Sequence, residues 1–307
     1  MRRIIGIGET ILDILFKQGT ATTSVPGGST FNAMISLGRA GISTCFVSEV
    51  GDDMVGTIVG NFLSANGVDD TYLTRHPEKR SPIALAFLDE QNNATYSFYK
   101  EPWGKDPDWQ CPTIGSDDIV LFGSYYAVDP NTRYKVTALL DAARRAGAII
   151  YYDVNFRRNH QGDAIKLMGT VIENLEYADI VRGSDEDFEV LYHIGEGAKV
   201  FADKVDFYCP RLVYSRGAQG VELHSRTLTK HYAAPSIEAV STIGAGDNLN
   251  AGILYGLIKY RVRRNDLDHL SEQDWDDIIR CGLQFSAETC QHTDNYISRE
   301  FAEQLCR

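Results

Sequence analysis

Residues 242–247 read Thr-Ile-Gly-Ala-Gly-Asp and stand at the start of a run with helical spacing, 245–259. Small residues there let the backbone approach a ligand closely. The first N–H groups of a helix, which have no partner within it, form an anion site. Asp247 would lie in the first turn and could accept the proton of a hydroxyl that attacks a phosphorus held by these amides. Alternatively, Asp247 is an N-terminal helix charge worth about 0.3–1 kcal/mol.

Two further groups could bind a polyol. Gly27 and Gly28 precede a helical run and Asn32 lies one turn inside it, so that amides could contact hydroxyls; the alternative is an ordinary turn with a helix cap. Asp13 follows the first predicted strand, and open α/β sheets bind ligands at the carboxyl ends of their strands. Its carboxylate could take two hydroxyls of a sugar, or it could be a turn residue.

Two segments after other predicted strands could contact a nucleotide or phosphate. Ser215, Gly217 and Gly220 enter a hairpin, where glycines suit the close passage of a nucleotide, although a plain hairpin turn is the commoner case. Arg157, in the segment 153–158, could pair with phosphate through its planar guanidinium, or it could be a solvated surface side chain.

The elements that must position these residues alternate between strand-like and helix-like runs. Strands are predicted at 3–8, 44–50, 118–122, 148–153, 179–182 and 211–215, with a hairpin through 221–223 and 231–233. Helices are predicted at 31–40, 54–65, 131–146, 245–259 and 275–289. This alternation predicts an α/β fold with a parallel sheet covered by helices on both faces.

One region breaks the alternation. Two strand-like runs, 82–89 and 94–99, are joined by 90–93 without a crossover helix, which predicts a hairpin. Together with 11–24, this hairpin could form a small second sheet beside the main one. Such an appendage is a candidate lid.

Composition excludes several classes of protein. The 307 residues contain 42 Asp and Glu against 30 Lys and Arg, a net charge of −12, which argues against a broad nucleic-acid interface. No apolar run reaches 18 residues, so no transmembrane helix is expected, and the apolar stretch after Met1 is too short for a signal peptide. Six scattered cysteines without a C-x-x-C pair indicate reduced thiols in a cytoplasmic protein.

The motif search narrows the chemistry further. The chain has no Walker-type phosphate loop, no H-E-x-x-H and no G-x-S-x-G elbow. The Gly6-Ile7-Gly8 opening lacks the third glycine of a dinucleotide fingerprint, which disfavours a nicotinamide oxidoreductase.

The order of the remaining segments resembles that of the ribokinase-like (PfkB) carbohydrate kinases, and most closely of fructokinases. The family signature Gly-Gly-x-x-x-Asn matches 27–32, and the signature Asp-Thr-x-Gly-Ala-Gly-Asp matches from Thr242 to Asp247. Between them, Val-Gly-Asp-Asp at 50–53 and Asp-Val-Asn-Phe-Arg at 153–157 recur in family order. The opening 8–13 and the segment 98–102 look like fructokinases in particular.

The resemblance implies a doubly wound α/β fold (ribokinase-like) with a mostly parallel central sheet, in a single domain over 1–307. A small β lid would be contributed by about 11–25 and 82–100. It also implies ATP-dependent phosphorylation of a sugar, with Asp247 as catalytic base. By the same implication, the anion hole comprises Gly244, Ala245 and Gly246; the sugar contacts are Asp13, Gly27, Gly28, Asn32 and Arg157; and the nucleotide contacts are Ser184, Ser215, Gly217, Gly220, Gly244 and Gly246.

The expected cofactors are ATP and Mg²⁺, because Mg²⁺ prefers phosphate oxygens and water to an all-protein site. Asp187 stands where the family has a glutamate linked to Mg²⁺, and its shorter side chain would reach the metal through water. Ser241 replaces an aspartate that helps to hold potassium in activated relatives, which leaves monovalent-cation activation open.

The function expected from the resemblance is a sugar kinase, with fructose as first substrate and fructose 6-phosphate as product. A kinase for 2-keto-3-deoxygluconate, ribose or a nucleoside is the alternative within this class. A non-catalytic sugar or nucleotide sensor on the same fold is the alternative of another class. The partners expected are the sugar and ATP, with no nucleic acid and no membrane. Because the hairpin 82–99 has apolar residues on both faces, we expect a homodimer that pairs through the lid.

Overall fold

The structure, a computed structural model, describes residues 2–88, 94–106 and 109–305 of the chain. The strands in this part are β1 (Ile4–Ile7), β2 (Ile11–Lys17), β3 (Thr20–Gly27), β4 (Thr44–Gly51), β5 (Val68–Asp69), β6 (Leu73–His76), β7 (Ile83–Leu88), β8 (Ala94–Tyr99), β9 (Ile119–Gly123), β10 (Ile149–Asp153), β11 (Ile180–Ser184), β12 (Arg211–Ser215), β13 (Val221–Ser225) and β14 (Thr229–Tyr232). The α-helices are α1 (Ser29–Arg39), α2 (Met54–Ala65), α3 (Arg133–Ala146), α4 (Ala164–Tyr177), α5 (Asp185–Tyr192), α6 (Gly197–Val200), α7 (Ala245–Lys259), α8 (Glu272–Cys290) and α9 (Arg299–Leu305).

Ten of these strands form the main sheet in the order β14-β13-β12-β11-β10-β9-β1-β4-β5, with β6 paired to β4. The pairs that join β12, β11, β10, β9, β1, β4, β5 and β6 are all parallel. The hairpin pairs β12–β13 and β13–β14 are antiparallel. Parallel neighbours end at the same edge, so the carboxyl ends of β1, β10, β11 and β12 lie along one edge of the sheet. This edge carries the polar residues that follow the strands.

Helices cover both faces of the main sheet. Successive residues of a strand point to opposite faces, and the core is accordingly split into two clusters. One cluster joins residues such as Ile4 and Leu121 to α1, α2, α7 and α8, and the other joins Ile5 and Val120 to α3, α4 and α5. The chain is therefore a doubly wound α/β protein, as its sequence predicts. No helix of the described residues is both long enough and apolar enough to cross a bilayer.

A separate four-stranded sheet, which we call the small sheet, has the order β3-β2-β7-β8. The segment predicted as 11–24 forms two strands, β2 and β3, joined by a tight turn in which Gln18 and Gly19 both have positive φ. Strand β2 also pairs in parallel with β7, and each residue lies 71 positions from its partner in the chain, as in Leu12 with Ile83 (83 − 12). The turn predicted at 90–93 lies outside the described residues.

The structure contains several elements that the sequence does not predict. Helices α4, α5, α6 and α9 and strands β5 and β6 are absent from the prediction. Helix α4 has 14 residues, whereas the other five elements are short. Helix α5 has only eight residues, and it is fixed by a capping box in which Ser184 and Asp187 bond each other's backbone N–H groups. Helix α1 begins two residues earlier than predicted, because Gly28 at its N-cap has φ 133 and ends the preceding strand.

Candidate functional site

Asp247 lies in the first turn of α7, whose N-cap is Gly244. Gly244 has φ +79, and a Cβ there would stand 2.6 Å from the Asn295 carbonyl oxygen, so this helix start requires glycine. Asp247 is buried, with 7 % of the residue exposed. Its Oδ1 accepts a hydrogen bond from Ser29 Oγ at 2.8 Å, and its Oδ2 accepts one from Asn32 Nδ2 at 2.8 Å. The starts of α1 and α7 therefore meet at this carboxylate.

Burial raises the pKa of Asp247 above the ordinary carboxyl value. The hydrogen bond from Asn32 and the positive charge of Arg157 oppose this rise in the pKa, whereas the negative charge of Asp153 adds to it. Asp247 is thus a desolvated carboxylate of increased basicity, which suits a group that accepts a proton.

Asp13, Gly27 and Asn32 converge beside Asp247. A Cβ on Gly27 would stand 3.0 Å from Asp13 Oδ2 and 4.0 Å from Asn32 Oδ1, so the missing side chain leaves the space between these two oxygens open. Asn32 Oδ1 is buried and, among the described residues, has no hydrogen-bond partner. A buried acceptor without a partner is costly, and a ligand hydroxyl would satisfy it.

Burial raises the pKa of Asp13 to about 6, and the positive charge of Arg157 partly opposes that rise. The Arg157 guanidinium is exposed and donates from Nε to Asn155 Oδ1 at 3.4 Å. Its charge also lowers the pKa of Asp247, so Arg157 acts electrostatically on both carboxylates. Gly28 stands where a Cβ would be 2.3 Å from the Glu9 carbonyl oxygen, so it permits close packing of α1 on the segment before β2.

Ser184 and Ser215 are paired neighbours at the carboxyl ends of β11 and β12. Ser184 Oγ accepts from Asp187 N at the start of α5, and Ser215 Oγ accepts from Arg182 Nη2 at 2.7 Å. Gly217 has φ +51 with open space where its Cβ would stand. At Gly220 the φ is +97 and a Cβ would lie 2.1 Å from the Tyr232 carbonyl oxygen, so the β12–β13 connection itself requires this glycine.

Asp187 is buried, and its Oδ2 accepts hydrogen bonds from Ser184 N at 2.7 Å and Ser184 Oγ at 2.8 Å. These bonds are those of a helix cap. Residues 2–88, 94–106 and 109–305 contain no group of three or more His, Cys, Asp or Glu side chains that could hold a metal ion. Contact of Asp187 with Mg²⁺ through water stays a prediction.

Three residues that sequence analysis did not select complete the site. Ser29 lies between the carboxylates of Asp247 and Asp153, and Arg182 forms an ion pair with Asp153, Nη1 to Oδ1, at 3.0 Å. Asp153 ends a predicted strand, which is the same pattern that selected Asp13. Arg182 lies within a strand, and nothing in its sequence context distinguishes it.

The geometry therefore combines four features at the carboxyl edge of the main sheet. They are the desolvated carboxylate of Asp247, the N-terminus of α7, and the two acceptor oxygens of Asp13 and Asn32 on either side of Gly27. The fourth is the serine edge, by which we mean the paired residues Ser184 and Ser215. By helical geometry the amides of the first turn of α7 lack partners within the helix. The Ala245 N–H donates to the Thr242 carbonyl at a long 3.3 Å. Such an arrangement can bind an anion and remove a proton from a hydroxyl beside it.

Comparison with known proteins gives the family. The model of the pfkB family carbohydrate kinases matches residues 1–301. The fructokinase of Escherichia coli is 27% identical over 256 residues, which are 82% of this chain and 83% of that protein. The fructokinase of Rhizobium leguminosarum bv. trifolii is 30% identical over 262 residues, 83% of this chain and 79% of that protein.

Solved structures share the fold. The fructokinase of Vibrio cholerae O395, with bound fructose, ADP and calcium, superposes with a TM-score of 0.86 at 19% identity, covering 100% of this chain and 99% of that chain. The aminoimidazole riboside kinase of Salmonella enterica, with its riboside and an ATP analogue, has a TM-score of 0.84 at 22% identity, with 99% of each chain covered. With the family model matching nearly its whole length, this chain belongs to the pfkB family of carbohydrate kinases.

Proposed function

We propose that this carbohydrate kinase transfers the γ-phosphate of ATP to the 6-hydroxyl of fructose. The observation that carries the proposal is the position of the Asp247 carboxylate, which is desolvated, held by Ser29 and Asn32, and next to the N-terminus of α7. A simple helix charge needs neither burial nor two side-chain donors from another helix. A base for a sugar hydroxyl needs both, because burial raises its pKa and the two donors fix the direction of the carboxylate.

In the proposed reaction, Asp247 takes the proton of the attacking hydroxyl while the phosphoryl group is transferred in line. Asp13 accepts hydrogen bonds from two other hydroxyls of the sugar. Asn32 Oδ1, which is buried and without a partner among the described residues, accepts from a third. The Asn32 amide thus contacts base and sugar together and aligns one with the other. Arg157 contacts sugar or phosphate from the open side of this cleft.

The backbone of Gly244, Ala245 and Gly246 stabilises the charge that builds on the transferring phosphoryl group. Ser184, Ser215, Gly217 and Gly220 line the side where the nucleotide binds. Of these, the open space at Gly217 best fits close passage of a nucleotide. Mg²⁺, when bound with ATP, neutralises phosphate charge. The described residues include no cluster of three or more His, Cys, Asp or Glu side chains that could hold a metal ion. In this proposal the metal is therefore coordinated mainly by the phosphates of ATP.

In this proposal the small sheet is the lid of a single kinase unit spanning 1–307. Its strand β2 carries Asp13, so binding of sugar links the lid to the main sheet. Asp13, Ala84 and Phe98 are paired neighbours and share the face of the small sheet that the sugar would meet. Closure of this face over the sugar excludes water, which would otherwise hydrolyse ATP. We place the reaction in the cytoplasm, where ATP is available.

The choice of fructose rests on the relatives named fructokinase. A riboside is the second candidate, because an aminoimidazole riboside kinase of Salmonella typhimurium is 26% identical over 279 residues. An acid sugar such as 2-keto-3-deoxygluconate would need a free cation near Asp13. Lys100 is instead paired with Glu9 at 2.9 Å, and within the described part of the chain Arg157 is the cation whose charge acts on Asp13.

A sugar panel with ATP and Mg²⁺ tests the substrate. We expect ADP release to be fastest with fructose, and the product to carry phosphate on the 6-hydroxyl. Ribose, 2-keto-3-deoxygluconate and aminoimidazole riboside are the comparison acceptors. A higher kcat/KM for any of them would replace fructose as the substrate. Binding of sugar without ADP release from any acceptor would instead indicate a sensor.

The small sheet also supports a homodimer in this proposal. Phe16 and Phe87 stack at 5.0 Å on the face opposite Asp13, where Phe87 is 41 % exposed and Tyr99 is 58 % exposed. Packing of two such faces would bury this apolar surface. We expect the protein to sediment as a dimer and Phe87→Lys to sediment as a monomer. Ile165→Lys, at a 94 % exposed position on α4, should stay dimeric. A monomeric unmodified protein would refute the dimer.

A further inference from the structure

A buried arginine connects the two halves of the site. Arg182 on β11 is 6 % exposed. Its Nη1 donates to Asp153 Oδ1 at 3.0 Å, and its Nη2 donates to Ser215 Oγ at 2.7 Å. On the far side of Asp153, the Ser29 hydroxyl lies 3.3 Å from Asp153 Oδ2 and 2.8 Å from Asp247 Oδ1. A continuous polar path therefore runs from the serine edge to the proposed base.

Arg182 also lies directly under the start of α7. A Cβ on Gly246 would stand 2.8 Å from Arg182 Nη2 and 3.1 Å from Nη1, so the guanidinium occupies the place that a side chain at 246 would need. The amides next to Gly246 are the ones that we assign to the anion hole. A full positive charge against this turn adds to the partial charge of the helix N-terminus.

The two hydrogen bonds of Arg182 do not satisfy its whole guanidinium group. Its Nε is buried and, within the described part of the chain, has no hydrogen-bond partner. Natural proteins seldom leave such a donor unpaired, because the desolvation cost is not recovered. An ion pair that served only to hold β10 and β11 together would not need a guanidinium pressed against Gly246.

We propose that Arg182 is a positioning residue of the kinase reaction. It places a positive charge directly behind the anion hole at Gly246, and through Asp153 and Ser29 it keeps Asp247 in position as the base. This proposal rests on the assignment of Asp247 made above. No function was predicted for Arg182 from the sequence, and Asp153 entered only as the residue that begins the segment of Arg157.

The charges make the proposal specific. Asp153 and Arg182 together are neutral, and the shared Ser29 hydroxyl places the carboxylate oxygens of Asp153 and Asp247 no more than about 6 Å apart. Two other charged groups face this cluster and stay in place in every variant: Arg157, whose charge lowers the pKa of Asp247, and Asp187, whose charge acts on Arg182. At this range one uncompensated charge shifts a neighbouring pKa by about one unit or more. Removing Arg182 leaves a net negative charge, which raises the pKa of Asp247. Removing the charge of Asp153 leaves a net positive charge, which lowers it.

The test is the pH dependence of kcat for Arg182→Met, Asp153→Asn and the double variant, with the best acceptor of the sugar panel. Asp247 must be ionised to act, so activity falls as the pH drops through its pKa. We call the fall of kcat on the acidic side of the pH profile the acidic limb. We expect its midpoint to shift to a higher pH by about one unit in Arg182→Met and to a lower pH in Asp153→Asn. The double variant, in which the charges cancel again, should return close to the original limb.

The values of kcat and of the KM for sugar are a second readout. In Arg182→Met, kcat should fall by about 10²-fold while the KM for sugar changes less than threefold, because the lost charge acts on the transferring group. Arg182→Lys, which keeps the charge, should recover at least tenfold of that loss. An equal loss of kcat in the Lys and Met variants would overturn the role of the charge.

Arg211→Met is the matched control. Arg211 is also 6 % exposed and ion-paired, to Asp268, but it begins β12 at the opposite end of the strand from Ser215. Its loss should lower the thermal midpoint as Arg182→Met does, and leave the acidic limb in place. Identical pH profiles in the Arg182, Asp153 and Arg211 variants would reduce Arg182 to a structural residue. Retained activity in Asp247→Asn would instead overturn the base, and with it the proposed function.

Discussion

Asp247→Asn lowers kcat by about 10³-fold with every acceptor that the enzyme uses, and leaves the sugar dissociation constant within about threefold. The asparagine keeps the size of the side chain and can still bond Ser29 and Asn32, but it cannot take the proton of the attacking hydroxyl. The measurement is single-turnover phosphorylation together with calorimetric titration of the sugar. An unimpaired rate in this variant would contradict the assignment of Asp247 as base.

The pH dependence gives the same residue a second test. Burial raises the pKa of Asp247, so the unmodified enzyme should lose activity on the acidic side at a higher pH than an exposed aspartate would impose. The raised pKa also means that ionised Asp247 costs folding free energy, a cost that appears as the pH rises through that pKa. Asp247→Asn should therefore be no less stable than the unmodified protein at pH 8.

Asp274→Asn is the control that separates catalysis from helix capping. Asp274 holds the same third position in the first turn of α8 and accepts hydrogen bonds from Ser271. It is an exposed carboxylate at a helix N-terminus, and both of its hydrogen bonds come from its own N-cap residue. Its replacement should cost about 1 kcal/mol of stability and no activity. Loss of kcat at 247 together with retained kcat at 274 excludes the interpretation of Asp247 as a helix charge.

Asp13→Asn raises the KM for sugar by about 10²-fold and lowers kcat much less. The ionised carboxylate accepts two sugar hydroxyls, and a charged acceptor is worth about 1.5–3 kcal/mol more than none. Because the pKa of Asp13 is about 6, sugar affinity in the unmodified enzyme should also weaken as the pH falls below 6. Steady-state kinetics between pH 5 and 8 measures both effects.

Asp13→Asn should weaken sugar binding but increase the free energy of unfolding. The pKa of Asp13 is higher in the folded chain than its usual value of 3.8, so the protein loses stability as the pH rises through 6 and the buried group ionises. After allowance for partial solvation, Asp13→Asn should gain about 1–2 kcal/mol at pH 8 and little at about pH 4, near the usual pKa, because the loss in the unmodified protein builds up between these two pKa values. Asp52→Asn, at an exposed carboxylate that follows β4, should show neither change. Unchanged KM in Asp13→Asn would remove Asp13 from the sugar site.

Several elements of the fold can be predicted from the sequence because residues close together in the chain determine them. Helix α7 occupies 245–259 as predicted, since a glycine with positive φ starts it and its apolar spacing is continuous. The buried β-branched runs of β1 and β9 likewise indicate parallel strands. The parallel pairing of β2 with β7 has no such local determinant. It is settled by hydrogen bonds between segments far apart in the chain.

The same division holds for the candidate site. The sequence by itself determined that Asp247 stands in the first turn of a helix behind small residues, because neighbours in the chain fix that geometry. Only the tertiary structure decided that Ser29 and Asn32 meet this carboxylate from 218 and 215 residues away, and that Arg182 lies under Gly246. Backbone conformation follows from nearby residues, whereas a side-chain contact between distant segments depends on how whole strands and helices pack.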